Sequence, residues 1–360
     1  MWNLLNKILA NFRECFSRQA SFNWFVIIII GLMLRSDSLG LTSIIRDLNL
    51  SHSSYATMIH FFHASSWSLE TIKNKWIQVV KIFAPIYKED GTTIIVGDGV
   101  KASKEARKMP GVKKLHQESE NSSKGEYIFG HMFGGIGVLA GSSLKLFCIP
   151  LFINLQDGVK TIRSWDNPQE KHESHIVQMI ENGFSITKTL GEKAILLLDR
   201  YFLSVPALIA LNKLNEKNGS LLQIVTKAKK SCTAYEKPGK YSGRGRPREK
   251  GASVKLNTYF QEKKNSFTTT IVNIYGKEQE VSYYCINLLW GQKLYQELRF
   301  VLISYNGINS ILVSTDLNLN PETIIRLYSY RFKIECTFRE LKQVIGAFSY
   351  QFWSKSMPKL

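Results

Sequence analysis

Cysteine is sparse and scattered. Cys15, Cys148, Cys232, Cys285 and Cys336 stand far apart in 360 residues, odd in number and without one CxxC pair, which argues against both a disulfide framework and a zinc ribbon. Long apolar runs are missing as well. The most apolar stretch, Phe25 to Leu34 (FVIIIIGLML), is ten residues long, about half of the ~20 that a membrane span needs, so it predicts a buried helix and no membrane partner. No secretory signal is visible, because the start at Met1 leads into mixed polar sequence with Arg13 and Glu14 and no small-residue cleavage site. The expected compartment is the cytoplasm. His172 and His175 in KHESH have no cysteine or second histidine pair nearby, too little for a zinc site. Acid is the scarce charge: 29 Asp and Glu face 47 Lys and Arg, a net +18 with a pI near 9.6. Such a balance calls for a densely negative partner, and nucleic acid or an anionic surface both answer to it.

What is present divides the chain. At this length two or three domains with a real core are possible. Residues 1–88 read as short helices joined by polar turns, with Ser51 and Ser53 as N-caps; a helix-turn-helix module and a plain helical bundle are equally compatible with them. Glu89-Asp90-Gly91 signals a turn, and Thr92 to Val96 (TTIIV) predicts a short β-branched strand ending at Gly97-Asp98-Gly99. Asp98 is then either a strand-end carboxylate or a turn aspartate between glycines. Residues 101–125, polar and lysine-rich, predict a mobile loop or a short excursion beside the site, and YIFGHMFGGIGVLAG with SLKLFCIPLFINLQ predict two strands that join the first in a meander. His131, in FGHMF, is read either as a packed core histidine or as a group near a site. After a helix around HIVQMIENGF, the run Ala194 to Leu198 (AILLL) predicts a second buried strand, which stops at Asp199.

From Lys227 the composition turns to Lys, Arg, Gly and Pro. The GRGRPR segment with Arg244, Arg246 and Arg248 is either a flexible basic loop or a set of arginines laid along a phosphate track, and both favour a polyanion. Residues 253–305 alternate as a β-rich block, and Pro321-Glu322 opens a terminal helix. On that helix Tyr328, Arg331, Glu335 and Lys342 sit at offsets 0, 3, 7 and 14, which an uninterrupted α-helix would gather within about 60° of arc. Arg331 and Glu335 alone would be an ordinary i,i+4 pair. With Asp98 and Asp199, however, Glu335 completes a set of three carboxylates. Three carboxylates suit two divalent ions about 4 Å apart, which activate an attacking oxygen and stabilise a leaving one in phosphoryl transfer.

The spacing Tyr328-x2-Arg331-x3-Glu335-x6-Lys342 is similar to the YREK signature of DDE transposases of the insertion sequence 4 family. GDG around Asp98, LLLDRYF around Asp199 and STDLNLNPETIIRLYSYRFKIECTFRELK resemble that family's two aspartate motifs and its last block, over about residues 20 to 355. The resemblance implies an α/β fold: an RNase H-like core, a mixed sheet with flanking helices, interrupted by a mostly β insertion and preceded by a helical N-terminal domain. Its expected boundaries are 1–88 for the helical DNA-binding region, 89–227 for the first part of the core, 228–315 for the insertion and 316–360 for the last helix. It implies Asp98, Asp199 and Glu335 as catalytic ligands of Mg2+, with Mn2+ as a substitute, and Arg331, Lys342 and Tyr328 on the transposon-end DNA. Some members hold a flipped base with a tryptophan of the insertion, and Trp290 is the residue available for it. The implied partners are double-stranded DNA, both transposon ends and target, and a second copy of the chain in the DNA complex; the implied setting is bacterial and nucleoid-associated. Leu360 lies 25 residues beyond Glu335, where family members continue with further helix. The expectation therefore covers a compact active member and, as rivals, a truncated inactive copy acting as a DNA-binding repressor and a structure-selective nuclease on the same core.

Overall fold

The computed structural model describes residues 2–37, 40–104, 109, 111–116, 125–157, 174–240, 243 and 246–349. The chain opens with five helices: α1 (Trp2–Ala10), α2 (Gln19–Leu34), α3 (Leu41–Asp47), α4 (Ser54–His63) and α5 (Leu69–Phe83). Their core is aromatic. Phe16 stands between Phe25 and Phe61, with ring centroids 5.1 and 6.3 Å away, and Ile44 and Met58 are fully buried beside them. The apolar run Phe25 to Leu34 lies in α2 and buries Phe25, Ile28 and Gly31. Among the described residues no helix is long and apolar enough to cross a membrane. Helices α3 and α4 follow one another across a short polar turn. The second helix buries only Met58 and Phe61 and turns Tyr55, Ile59 and Phe62 outward.

Helix α5 links this module to the next. The Ser68 side chain caps it by accepting from the Thr71 N–H at 3.1 Å. One side of α5 places Val79 in the aromatic core, and another presses Ile77 and Val80 onto the sheet.

The sheet begins with β1 (Lys88–Glu89), β2 (Thr92–Ser103), β3 (Lys113–His116), β4 (Tyr127–Ser142) and β5 (Lys145–Asp157). Then follow α6 (His175–Leu190), β6 (Ala194–Leu197), α7 (Val205–Asn218) and β7 (Leu222–Lys227). Strands β2, β4 and β5 pair antiparallel in a meander, whereas β6 joins β2 in parallel and β7 joins β6 in parallel. Counting β2, β4, β5, β6 and β7 as first to fifth, the spatial order is third, second, first, fourth, fifth. That is the RNase H-like arrangement. Two of the strand readings change. Strand β2 does not stop at Gly97, because β4 supplies hydrogen-bond partners from Ile95 through Ser103, well beyond the last residue paired to β6, Val96. Asp98 is therefore a mid-strand residue, placed where the parallel neighbour ends. The segment expected to be a mobile loop is partly sheet as well, since Lys113–His116 pairs with the start of β4.

Beyond β7 come β8 (Thr233–Tyr235), β9 (Ser253–Lys255), the short α8 (Tyr259–Glu262), β10 (Thr268–Ile274), β11 (Lys277–Trp290), β12 (Gln296–Tyr305) and β13 (Ile308–Ser314). This β-rich part extends the same sheet, because β13 returns antiparallel to β7 and β12 and β11 follow outward. It has its own apolar cluster around Leu256, Leu298 and Phe300, each fully buried.

The chain then crosses back over the sheet as α9 (Pro321–Tyr330) and α10 (Lys333–Gln343). Asn320 caps α9 by accepting from the Glu322 N–H at 2.8 Å, with Pro321 at its first turn. The single helical face expected for Tyr328 to Lys342 is broken at Arg331 and Phe332. There the backbone bonds tighten to i→i−3, Ile334 N to Arg331 O at 3.4 Å and Glu335 N to Phe332 O at 3.1 Å. The tightening lets both segments press on one sheet face, and Ile324 and Leu327 before the break and Ile334 and Phe338 after it are all buried there. Helices α5, α6 and α7 cover the opposite face.

Candidate active site

Strand register builds the site. Val96 on β2 is level with Leu197 on β6, and Leu197 with Val225 on β7. All three belong to the core beneath α9 and α10. Side chains alternate with a period of two, so the residues two further along, Asp98, Asp199 and Lys227, fall in one row on that same face. The level persists beyond the formal end of β6. Leu198 N donates to Val225 O at 2.9 Å, the Thr226 hydroxyl donates to Asp199 O at 2.9 Å, and Asp199 keeps an extended backbone.

The helical break lowers Arg331 onto this row. Its Nη1 donates to Asp98 Oδ2 at 3.0 Å and its Nη2 donates to Glu335 Oε1. The second Asp98 oxygen, Oδ1, accepts from the Gly99 N–H at 2.7 Å. One guanidinium thus ties a strand carboxylate to a helix carboxylate. Side-chain exposure is 19% for Asp98 and 17% for Arg331, whereas Glu335 keeps 40%. Burial pushes the Asp98 carboxyl up to about 6; Arg331 and the Gly99 N–H oppose the shift, and Glu335 and Asp199 add to it. For Arg331 burial works against the charge, but Asp98, Tyr328 and Glu335 more than offset it, and its pKa stays above the ordinary arginine value. Burial also raises the Tyr328 phenol, against Arg331 and with Asp199, so Tyr328 is a protonated donor in the working pH range.

Lys342 stands at the edge of the site and donates to Lys101 O at 2.9 Å. Trp290 is elsewhere. It ends β11 and, like Cys232, packs against the apolar cluster of the β-rich part. His131 is buried in β4 with its ring edge-on to Phe133. Of the basic segment, Arg246 pairs with Glu249, Arg248 is exposed and Arg244 lies outside the described residues. Lys250, just after the segment, anchors it by stacking its ammonium over Tyr235 and Tyr295, 4.0 and 5.1 Å from the ring centroids.

Sequence reasoning missed two members of the site. Lys227 is the last residue of a strand in the sequence, and only the register with Asp199 makes it a site residue. Tyr275, at the β10–β11 turn with φ 54°, is exposed and close enough to act on Tyr328 electrostatically.

The donor set is the chemistry of a hard divalent cation. Its three carboxylates, Asp98, Asp199 and Glu335, sense one another through the raised Asp98 pKa, and an arginine occupies the position of counter-charge between two of them. With Arg331 seated there, no three acidic, histidine or cysteine side chains among the described residues converge closely enough to hold an ion. The residues therefore fit a divalent metal in kind, with Arg331 as the group that must yield.

Comparison with known proteins agrees with this chemistry. A family model described as DDE superfamily endonuclease matches residues 11–128, and one described as Transposase DDE domain matches residues 166–353. No curated protein sequence matches the chain. Among solved structures, the NurA nuclease from Sulfolobus solfataricus is similar over 85% of this chain and 100% of its own, at 11% identity and a TM-score of 0.29, a likeness too slight to carry an argument. The transposase model alone spans just over half of the residues, and the chain belongs to the DDE transposase family.

Proposed function

We propose that this chain is a Mg2+-dependent transposase of the insertion sequence 4 type, which cleaves DNA at the ends of its element and joins those ends to target DNA. The observation that carries the reading is the row of Asp98 and Asp199 across parallel strands with Glu335 facing it from α10, one guanidinium tying Asp98 to Glu335. Asp98, Asp199 and Glu335 would hold the metal, which when bound activates the attacking oxygen and neutralises the leaving one. The protein's own part is position and charge. The sheet fixes two carboxylates about one strand spacing apart, ~4.8 Å, and α10 sets the third against them. Arg331, once it releases a carboxylate, offers a planar fork suited to a phosphate. Tyr328 adds a protonated hydroxyl, and Lys342 and the arginines of the basic segment extend the cationic track. Water is the first nucleophile and the freed 3′-hydroxyl the second. Joining two element ends calls for two copies of the chain on DNA.

The test is strand cleavage and joining on a labelled duplex bearing the element's own end, with and without Mg2+. Metal-dependent nicking followed by joining is the expected result. Nicking without joining would favour a structure-selective nuclease, and binding with no cut in Mg2+ or Mn2+ would favour a repressor and overturn the proposal.

The role of Arg331 gives a second expectation. Arg331→Met leaves Asp98 and Glu335 facing each other with no counter-charge, which costs about 1–3 kcal/mol because Asp98 is largely buried and Glu335 partly solvated. Thermal melts in EDTA should show that loss, and millimolar Mg2+ should restore more stability to the variant than it adds to the wild type. Equal Mg2+ responses in the two proteins would contradict this account of the bridge.

A further inference from the structure

We propose that Lys227 is a phosphate-binding residue of this site, holding the scissile phosphodiester at the end of the carboxylate row; the inference rests on the reading of the chain as a DNA-cleaving transposase. Three observations lead to it.

The first is register. Lys227 is level with Asp199, and Asp199 with Asp98, on three adjacent parallel strands, and all three side chains leave the sheet on the face that Arg331 and Glu335 cover. Lys227 therefore stands one strand beyond the acidic pair, where a strand of DNA laid over the carboxylates would continue.

The second is what its ammonium does. Three other lysines near the site spend donors on backbone oxygens: Lys101 on His116 O at 2.6 Å, Lys104 on Phe348 O at 2.6 Å and Lys342 on Lys101 O at 2.9 Å. Among the described residues Lys227 has neither a side-chain hydrogen bond nor an ion pair within 4.0 Å, although it lies half-buried. Three unspent donors in a partly desolvated place mark a group that meets its counter-ion in a complex.

The third is the surrounding field. Burial lowers the Lys227 pKa below the ordinary lysine value; Asp199 opposes that shift, and Arg200, Lys230 and Arg331 add to it. Lys227 thus meets net opposition from the cations around it, Arg331 acting from its seat between Asp98 and Glu335, and an anion entering there would relieve it. A phosphodiester needs such a field most, because the carboxylates beside it repel it and negative charge grows on its non-bridging oxygens as the attacking oxygen arrives.

The experiment compares two duplexes bearing the element's terminal sequence, one with the native phosphodiester at the cleavage position and one with an uncharged methylphosphonate there. Equilibrium binding is measured with Ca2+ in place of Mg2+, for wild type, Lys227→Gln and Lys227→Arg, and melts are run on each protein. The wild type is expected to prefer the charged duplex about tenfold, the scale of one charge-assisted hydrogen bond. Lys227→Gln should bind both duplexes alike, and Lys227→Arg should recover the preference. A Lys227→Gln protein that keeps the wild-type preference overturns the assignment, as does a wild type that cleaves the element end in Mg2+ yet shows no preference; the transposase reading survives both. If the wild type neither cleaves nor selectively binds that end, the transposase reading falls and this inference falls with it. Should Lys227→Gln melt early, Lys227→Arg decides: a folded arginine variant without the preference also overturns the proposal.

Discussion

Asp98→Asn should reduce strand cleavage by roughly a thousandfold or more while leaving the fold within about 1 kcal/mol of the wild type, because two stability terms of opposite sign meet at this position. The carboxyl is pushed up to about 6 by burial, so the folded protein holds a proton there more tightly than the unfolded chain does. A raised acid costs stability as pH climbs from its unfolded value toward about 6, and the full cost, about 3 kcal/mol, is present at neutral pH. The amide escapes that cost. Against it stands a lost acceptor: Oδ1 takes the Gly99 N–H and Oδ2 takes Arg331, and an amide has one oxygen for two donors, a loss of about 1.5–3 kcal/mol. The near-cancellation separates function from folding. Urea unfolding with the variant near the wild type, duplex binding intact and cleavage gone would identify a catalytic ligand. Cleavage at the wild-type rate would remove Asp98 from the chemistry, and a collapse in stability would make its role structural.

The order of elements around Asp98, Asp199 and Glu335 is legible in the sequence, because each element is written locally. TTIIV and AILLL are short apolar runs of the kind that buried strands show, and Asn320-Pro321 is a helix start by side-chain chemistry alone. What the sequence could not carry depends on partners distant in the chain. Strand β2 runs past Asp98 because β4 pairs with it through Ser103, a fact that resides in residues 130–138 and not in GDG. The break at Arg331 and Phe332 contains no glycine or proline, the usual punctuation; it arises from packing Leu327 and Ile334 on one face. Lys227 ends a strand like many other lysines, and only an offset of strand register reveals its row. Residue type alone singles out Trp290, whereas its place at the end of β11 is set by cross-strand pairing with Gln296.

The glycine-rich strand FGHMFGGIG held another feature hidden from the sequence, and it leads to the largest expected loss of stability. A Cβ built on Gly135 would lie 2.7 Å from the Phe338 ring, far inside contact distance, so β4 is bare at the point where the ring lies on it. Gly135 is also the residue paired with Asp98. Phe338, 5% exposed, is three residues after Glu335, about one helical turn, and with the Thr337 hydroxyl, which donates to Cys148 O at 2.8 Å, it is what fastens α10 to the sheet. A helix of 11 residues does not persist without such an anchor. Phe338→Ala should therefore cost about 3–5 kcal/mol and lower cleavage together with stability, since Glu335 loses its fixed distance from Asp98. Gly135→Ala should produce a smaller loss of the same kind by forcing the ring off the strand. The two changes act on one contact, so in urea unfolding the double variant should be less destabilised than the sum of the singles, by 0.5 kcal/mol or more. Additive losses would mean that the ring does not rest on Gly135. A Phe338→Ala protein that unfolds and cleaves like the wild type would leave some other contact to position Glu335.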